Sequence, residues 1–237
     1  MDPEEVIRNK EKARSIEFQF EGNHSCNMVD TIIDSYPLVK QDNYRLLPRI
    51  TELFYDDWQR IQSYLDVILL LVKRGSVYKD IPTGNVYDVI DSFEDGINAY
   101  VKDRKQLLDN IHFDDCNNYT IKRIENFREA QDFNSFVEWC ITGYEDDYES
   151  YTDGGELFYF CMKPGYKNES KDPKDGFPWD DYGKSLFAVS VNRHGLIANV
   201  TSRWNIESTG IHKIDDEALS RMIGRNFYEV FLPREIS

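Results

Sequence analysis

The chain has 237 residues, of which 41% are hydrophobic and 14% aromatic, so it can bury a substantial core and does not have the composition of a disordered protein. Its formal net charge is −15, with 22 acidic and 14 basic residues before Asn118 and 21 acidic and 14 basic residues after it. Negative charge spread over the whole chain disfavours binding to nucleic acid or to anionic membranes and favours basic protein partners.

The N-terminal composition and the cysteines predict a protein of the reducing cytoplasm. Residues 1–14 are charged and contain no apolar stretch typical of a signal peptide. The longest apolar run, residues 67–72, is too short to cross a bilayer. The chain has four cysteines, and their spacing does not indicate a disulfide framework: Cys26, Cys116, Cys140 and Cys161. The apolar neighbours of Cys140 and Cys161 predict that these two thiols are buried.

Apolar residues at helical spacing predict that the first half of the chain is helical. Pro3, which is followed by two glutamates, favours the first turn of a helix that continues to about Phe20. Residues 28–33 predict a short helix that ends before Pro37.

The longest helical pattern extends from Leu46 to Val72 and is apolar over a wide arc, which predicts a central, well-covered helix. Asp42 or Asn43 is predicted to cap its N-terminus, and Gly75 to end it. A further helix is predicted from residue 86 to about residue 103, with an apolar extension beyond that point.

A polar segment, residues 114–118, has the composition of a loop and predicts a boundary between two regions. The first region, residues 1–118, is expected to be helical, and the second, residues 119–237, to combine helices with strands. One continuous domain is an alternative. Helical spacing over residues 121–130 predicts a helix at the start of the second region.

Beyond Trp139 the apolar period shifts toward two, which predicts strands. One strand is predicted over residues 157–162. A hairpin is predicted over residues 185–204, with Gly195 in its connection at a position that requires positive φ.

Three further segments complete the prediction. Residues 163–183 predict a long exposed loop, residues 215–223 a short helix with acids in its first turn, and residues 227–231 a last strand. The predicted fold class is therefore α+β, with a helical N-terminal half and an antiparallel β-sheet with flanking helices in the C-terminal half.

An acidic, tyrosine-rich segment between residues 142 and 155 contains no basic residue and is predicted to be a loop. It lacks the spacing of a calcium-binding loop, and adjacent acids are commonly only a solvated surface. Tyrosines among carboxylates also suit recognition of surfaces rich in arginine and lysine. We predict a partner-binding surface here, completed by an arginine at the end of the hairpin: Tyr144, Glu145, Asp146, Asp147, Tyr148, Glu149, Tyr151 and Arg203.

Cys140 is the strongest candidate for a catalytic nucleophile. Such a cysteine needs a lowered pKa, commonly from a histidine, and the histidines of this half are predicted in or near turns. A structural role is therefore favoured. An enzyme with a site around Cys140, Thr142 and Arg203 stays open as the alternative.

Two histidine–cysteine pairs would together supply a ligand set that zinc accepts. The pairs are far apart in the chain, and their spacing is not that of a recognised zinc finger: His24 with Cys26, and His112 with Cys116. Incidental pairs in loops are the favoured interpretation, so no metal and no cofactor are expected.

The W-C-x-T stretch from Trp139, the tyrosine-rich segment, the Gly-x-Leu-Phe-Tyr-Phe sequence from Gly155 and the hairpin with a central glycine resemble uncharacterised proteins of phages and mobile elements. The resemblance covers about residues 136–205. It implies an accessory protein of a phage or mobile element, and it implies no activity and no catalytic residue.

These observations favour a non-enzymatic, acidic interaction protein. Its expected partner is a basic surface of another protein, such as the nucleic-acid-binding surface of a host defence protein that it would inhibit. A component of a virion or of a larger complex is a further alternative. Trp139 is predicted to fill the junction between the preceding helix and the inner face of the hairpin.

Overall fold

The structure is a computed structural model that describes most of the chain: residues 3–20, 27–75, 77–113, 118–134, 137, 139–163, 186–202 and 214–232. A helical first half is followed by a four-stranded antiparallel sheet with flanking helices, which confirms the predicted α+β class. The described residues up to Tyr100 form one compact unit and those from Val101 onward form another. This division lies before the boundary predicted at Asn118, inside a continuous helix.

The first unit is built from helices. Their bounds are α1, Pro3–Phe20; α2, Met28–Ser35; α3, Pro37–Gln41; α4, Leu47–Arg74; and α5, Val86–Asp109, which continues into the second unit. No helix in the described ranges is long and apolar enough to span a membrane.

Helix α4 carries the central apolar face that its spacing predicts, with Ile50, Leu65 and Ile68 fully buried. It is kinked at Asp57, whose backbone leaves the helical region, and the Asp57 carboxylate accepts a hydrogen bond from the Arg60 amide at 3.1 Å. Asp57 thereby caps a second helical stretch within α4.

The sequence predicts the C-terminal end of α4 correctly but not its N-terminal cap. Gly75 ends the helix at φ +67°, as predicted. The predicted cap at Asp42 or Asn43 is wrong, because Asn43 and Tyr44 have positive φ and form a turn, so that the helix begins later, after Leu46.

The second unit contains the sheet, whose strands are adjacent in chain order: β1, Thr120–Ile124; β2, Leu157–Met162; β3, Leu186–Val191; and β4, Ile197–Ser202. The predicted hairpin is confirmed as β3 and β4. Gly195 has φ +81°, and the Asn192 side chain accepts hydrogen bonds from the amides of His194 and Leu196, which closes the connection. The loop predicted over residues 163–183 lies almost entirely outside the described residues.

Helices cover both faces of this sheet. One face is covered by α6, Phe127–Gln131; α7, Cys140–Gly143; and α8, Glu145–Asp153. The remaining helices of this unit are α9, Asp216–Ile223, and α10, Phe227–Phe231. Phe158 and Phe160 of β2 lie in the core beneath α6–α8. Between them, Tyr159 points to the opposite face, where its ring contacts Phe231 at a centroid distance of 5.0 Å.

Two predicted elements of the second unit are wrong. Residues 121–130 are not one helix but β1 followed by α6, because Asn126 caps α6 and interrupts the run. Residues 227–231 are not a strand but α10, which is capped by Asn226 and buries Phe227 and Phe231 one helical turn apart.

A buried carboxylate ties α5, α9 and α10 together in this unit. Asp216, at the start of α9, accepts two hydrogen bonds from the Arg104 guanidinium, one of them from Nε at 2.8 Å. The Tyr228 hydroxyl of α10 donates a third, at 2.9 Å. A charge that is paired and hydrogen-bonded in this way fixes the arrangement of the elements that supply its partners.

Candidate partner-binding surface

The acidic segment is a helix, α8, and the prediction of a loop is wrong. Glu145, Asp146 and Asp147 occupy its first turn, where negative side chains interact favourably with the positive end of the helix dipole. The acids that suggested a solvated loop therefore stabilise the start of a helix.

Two tyrosines anchor α8 to the core. Tyr148 is buried, its ring lies 6.0 Å from that of Phe158, and its hydroxyl donates to the Ile124 carbonyl at 3.5 Å. Burial raises the pKa of Tyr148, with a further contribution from Glu125. Tyr151 is half-buried and packs edge-on against the same phenylalanine. Of the predicted partner-binding residues, these two thus contribute mainly to packing.

The remaining side chains of the segment form an exposed acidic surface. Tyr144 is 70% exposed, and Asp147 is half-buried. We define the acidic face of α8 as the exposed tyrosine and the exposed acids of this segment: Tyr144, Glu145, Asp146, Glu149 and Asp153. Within the described part of the chain, no basic side chain forms an ion pair with any of its four acids. Asp153 belongs to the acidic run of the sequence but not to the predicted binding residues, and its position four residues after Glu149 places it on the same side of the helix.

Arg203, the predicted basic member of this surface, lies outside the described residues. Its neighbour Ser202 is buried at the end of β4, and the Ser202 carbonyl accepts a hydrogen bond from the Trp139 indole at 2.5 Å. The pairing of Arg203 with the acidic segment stays a prediction.

The two described residues of the alternative enzyme site, Cys140 and Thr142, do not share one surface. Cys140 is exposed, so the expectation that it is buried is wrong, because it begins the short helix α7 instead of facing the sheet. Thr142 is fully buried and donates its hydroxyl to the Trp139 carbonyl at 2.7 Å. The side chain of Thr142 is therefore enclosed, whereas that of Cys140 faces solvent.

Cys161 is the buried thiol among the described cysteines of this unit. It lies in the middle of the sheet with no exposed surface, and burial raises the pKa of its thiol well above the ordinary value. The expectation of a buried thiol is confirmed at this position.

The two thiols are expected to differ strongly in reactivity. In a Cys26→Ser/Cys116→Ser variant, an aromatic disulfide reagent should modify one thiol, Cys140, within minutes at pH 8, because Cys140 is exposed, whereas burial blocks access to Cys161 and raises the pKa of its thiol. Cys161 should react only after unfolding in guanidinium, and the unfolded protein gives the total number of reactive thiols. Rapid reaction of both thiols in the folded protein would contradict this prediction.

No group of metal-ligating side chains is found in the described ranges. Three members of the hypothetical zinc set, His24, Cys26 and Cys116, lie outside those ranges, and His112 is exposed.

No protein-family model matches the chain, and no curated protein and no solved structure matches it.

Proposed function

We propose that this chain is a non-enzymatic binding protein that applies the acidic face of α8 to a basic protein surface. The observation that supports the proposal is an acidic helix anchored to the core by Tyr148 and Tyr151, with four exposed carboxylates that have no ion-pair partner among the described residues.

Beyond the first turn of α8, repulsion between acids opposes the favourable interaction with the helix dipole. Glu145 and Glu149, and then Glu149 and Asp153, are like charges four residues apart, and each such pair costs about 0.2–0.5 kcal/mol. Asp153 also lies at the negative end of the helix dipole. A basic partner would remove this repulsion on binding, so the cost is consistent with a recognition surface.

Tyr144 supports the same proposal. Its backbone is extended, with φ −132° and ψ 126°, so that its ring leaves the buried tyrosine side of the helix and is exposed beside Glu145. An exposed aromatic ring next to carboxylates can stack on a guanidinium whose charge the carboxylates pair.

The expected partner is a basic surface that also binds nucleic acid. A net charge of −15 would steer the protein toward basic surfaces and speed association with them. Nucleic-acid-binding proteins carry such surfaces. Together with the resemblance to proteins of phages and mobile elements, this supports an inhibitor that occupies the nucleic-acid-binding surface of a host defence protein.

Two charge-matched variants test the proposal. The first removes the acids of the α8 face as Glu145→Gln, Asp146→Asn, Glu149→Gln and Asp153→Asn. The second removes four exposed acids dispersed over the chain: Glu11→Gln, Asp95→Asn, Asp103→Asn and Asp132→Asn. Both variants lose four negative charges, so a difference between them reports the position of the charge and not the total.

The variants are compared with the wild type by affinity capture from a bacterial lysate, followed by titration of the captured protein. We expect the wild type and the dispersed variant to bind one basic protein with similar affinity. The α8 variant should bind at least about tenfold more weakly, and duplex DNA should compete. Equal binding by both variants, or binding that DNA does not affect, would contradict the proposal.

A further inference from the structure

A groove on the second unit is lined by two arginines, in contrast to the carboxylates of the acidic face. It has a volume of about 340 Å³ and lies between the edge of the sheet at β1 and the helix α10, at the side of the sheet that α8 does not cover. The side chains that matter here are Ile121, Arg123, Tyr159, Arg225, Glu229 and Leu232.

The backbone holds both arginines of the groove in place. Arg123 lies on β1 directly opposite Tyr159 of β2 in the antiparallel register. Arg225 follows the end of α9, where its amide donates to the Ser220 carbonyl at 3.1 Å, and its side chain donates to the Tyr119 carbonyl at 3.0 Å. The strand register therefore fixes the backbone position of Arg123, and the bond to the Tyr119 carbonyl holds the Arg225 guanidinium before any ligand binds.

Among the described residues, no buried carboxylate neutralises either arginine. Arg123 pairs with Glu125 at 3.2 Å, but both side chains are about half exposed. Ion pairs at such exposed positions contribute little free energy. In the part of the chain that the structure describes, Arg225 forms no ion pair with a carboxylate, and its bond to Tyr119 uses one of five N–H donors. The groove therefore keeps donors for a ligand.

The wall between the arginines adds an apolar surface and one acceptor. Ile121 and Leu232 line it with aliphatic side chains, and Tyr159 contributes its ring. The Tyr159 hydroxyl donates to the Phe231 carbonyl at 3.3 Å, so its oxygen is left with lone pairs that can accept. Glu229 adds one negative charge, so the lining carries two positive charges and one negative charge, and Glu125 lies outside the lining as the partner of Arg123.

We propose that this groove binds a small organic anion, in which a phosphate or carboxylate contacts Arg123 and Arg225 and an apolar body lies against Ile121, Tyr159 and Leu232. Guanidinium groups present paired donors in the geometry that planar carboxylates and phosphates accept. A pocket with an apolar wall and a few convergent polar groups is typical of small-molecule sites. This inference is independent of the proposed function, since it uses other residues.

The proposal is tested by titration with four probes, followed by NMR shifts of the backbone amides. The probes are phenyl phosphate, benzoate, inorganic phosphate and, as the cationic control, benzylamine. Phenyl phosphate and benzoate should saturate and shift amides at 121–123, 159 and 229–232. Inorganic phosphate should bind about tenfold more weakly, and benzylamine should not bind.

Substitutions identify the groove as the site of binding. Arg225→Gln and Arg123→Gln should each weaken phenyl phosphate binding about tenfold, because each removes a charge-assisted contact. Arg221→Gln, at an arginine that is 60% exposed and paired with Glu217 on α9, is the matched control and should bind as the wild type does. Glu229→Gln should strengthen binding, because it removes a negative charge from the rim.

Several results would overturn the proposal. They are the absence of saturable binding of phenyl phosphate and benzoate by the folded wild type, undiminished binding by a folded Arg123→Gln/Arg225→Gln double variant, and equal affinity for phenyl phosphate and inorganic phosphate. If the double variant does not fold, Arg225→Lys replaces it. Lysine keeps the charge but not the paired donors, so unchanged affinity would equally overturn the assignment.

Discussion

Replacing Trp139 by alanine is expected to remove about 3–5 kcal/mol from the free energy of unfolding of the second unit. Trp139 is buried, its ring lies 4.6 Å from that of Phe160, and its indole nitrogen donates to the Ser202 carbonyl. The truncation would therefore leave a cavity beneath α6–α8 and an unsatisfied carbonyl at the end of β4. Such a loss is a large share of the roughly 5–15 kcal/mol that stabilises a domain.

The measurement is urea denaturation monitored by circular dichroism, with two controls. Trp58→Ala removes the same side chain from a position that is 44% exposed and should cost less than about 1.5 kcal/mol. Trp139→Phe keeps an aromatic ring and removes the N–H donor, so it should fall between the wild type and the alanine variant. A cost for Trp139→Ala no larger than that of Trp58→Ala would show that the ring is not part of the core.

Replacing Asp216 by alanine is expected to cost about 3–5 kcal/mol, because it leaves Arg104 without its carboxylate and Tyr228 without its acceptor. Arg104 keeps 22% of its side chain exposed, so solvent should reduce the loss to the lower end of this range. The effect concerns a single cluster that joins three helices, and the variant should unfold at lower denaturant concentration.

Two comparisons isolate the buried pair. Glu217→Ala removes the neighbouring acid, whose partner Arg221 is exposed, and should cost no more than about 1 kcal/mol. A double-mutant cycle with Arg104→Met and Asp216→Ala should give a coupling energy above about 1 kcal/mol, since the pair shares two hydrogen bonds. Additive effects in that cycle would refute the role assigned to the pair.

The sequence predicts the elements whose periodicity is long or strict. The apolar spacing of α4 extends over many turns, and the hairpin of β3 and β4 alternates around a glycine with positive φ, Gly195. Short segments are ambiguous because propensity and packing compete. The sequence of α10 is rich in β-prone residues, but Asn226 caps it, and Phe227 and Phe231 have the i,i+4 spacing of a helix face.

The acidic face shows what the sequence can and cannot predict about the site. Its carboxylates and Tyr144 are visible in the composition of the segment. The sequence does not reveal that Tyr144 is exposed while Tyr148 is buried, because this difference depends on the extended backbone of Tyr144 and on the core that receives Tyr148. The groove is harder still to predict: Arg123, Tyr159 and Arg225 are distant in the chain, and strand pairing brings the first two together.

The order of the strands bears on how the second unit folds. Only residues 192–196 separate β3 from β4, whereas β1 and β2 are joined through α6, α7 and α8. The entropy lost on closing a loop grows with its length, so the β3–β4 hairpin can form at the lowest entropic cost and template β2 and then β1. On this route Asp216 and its partners assemble late, and weakening them would accelerate unfolding more than it slows refolding.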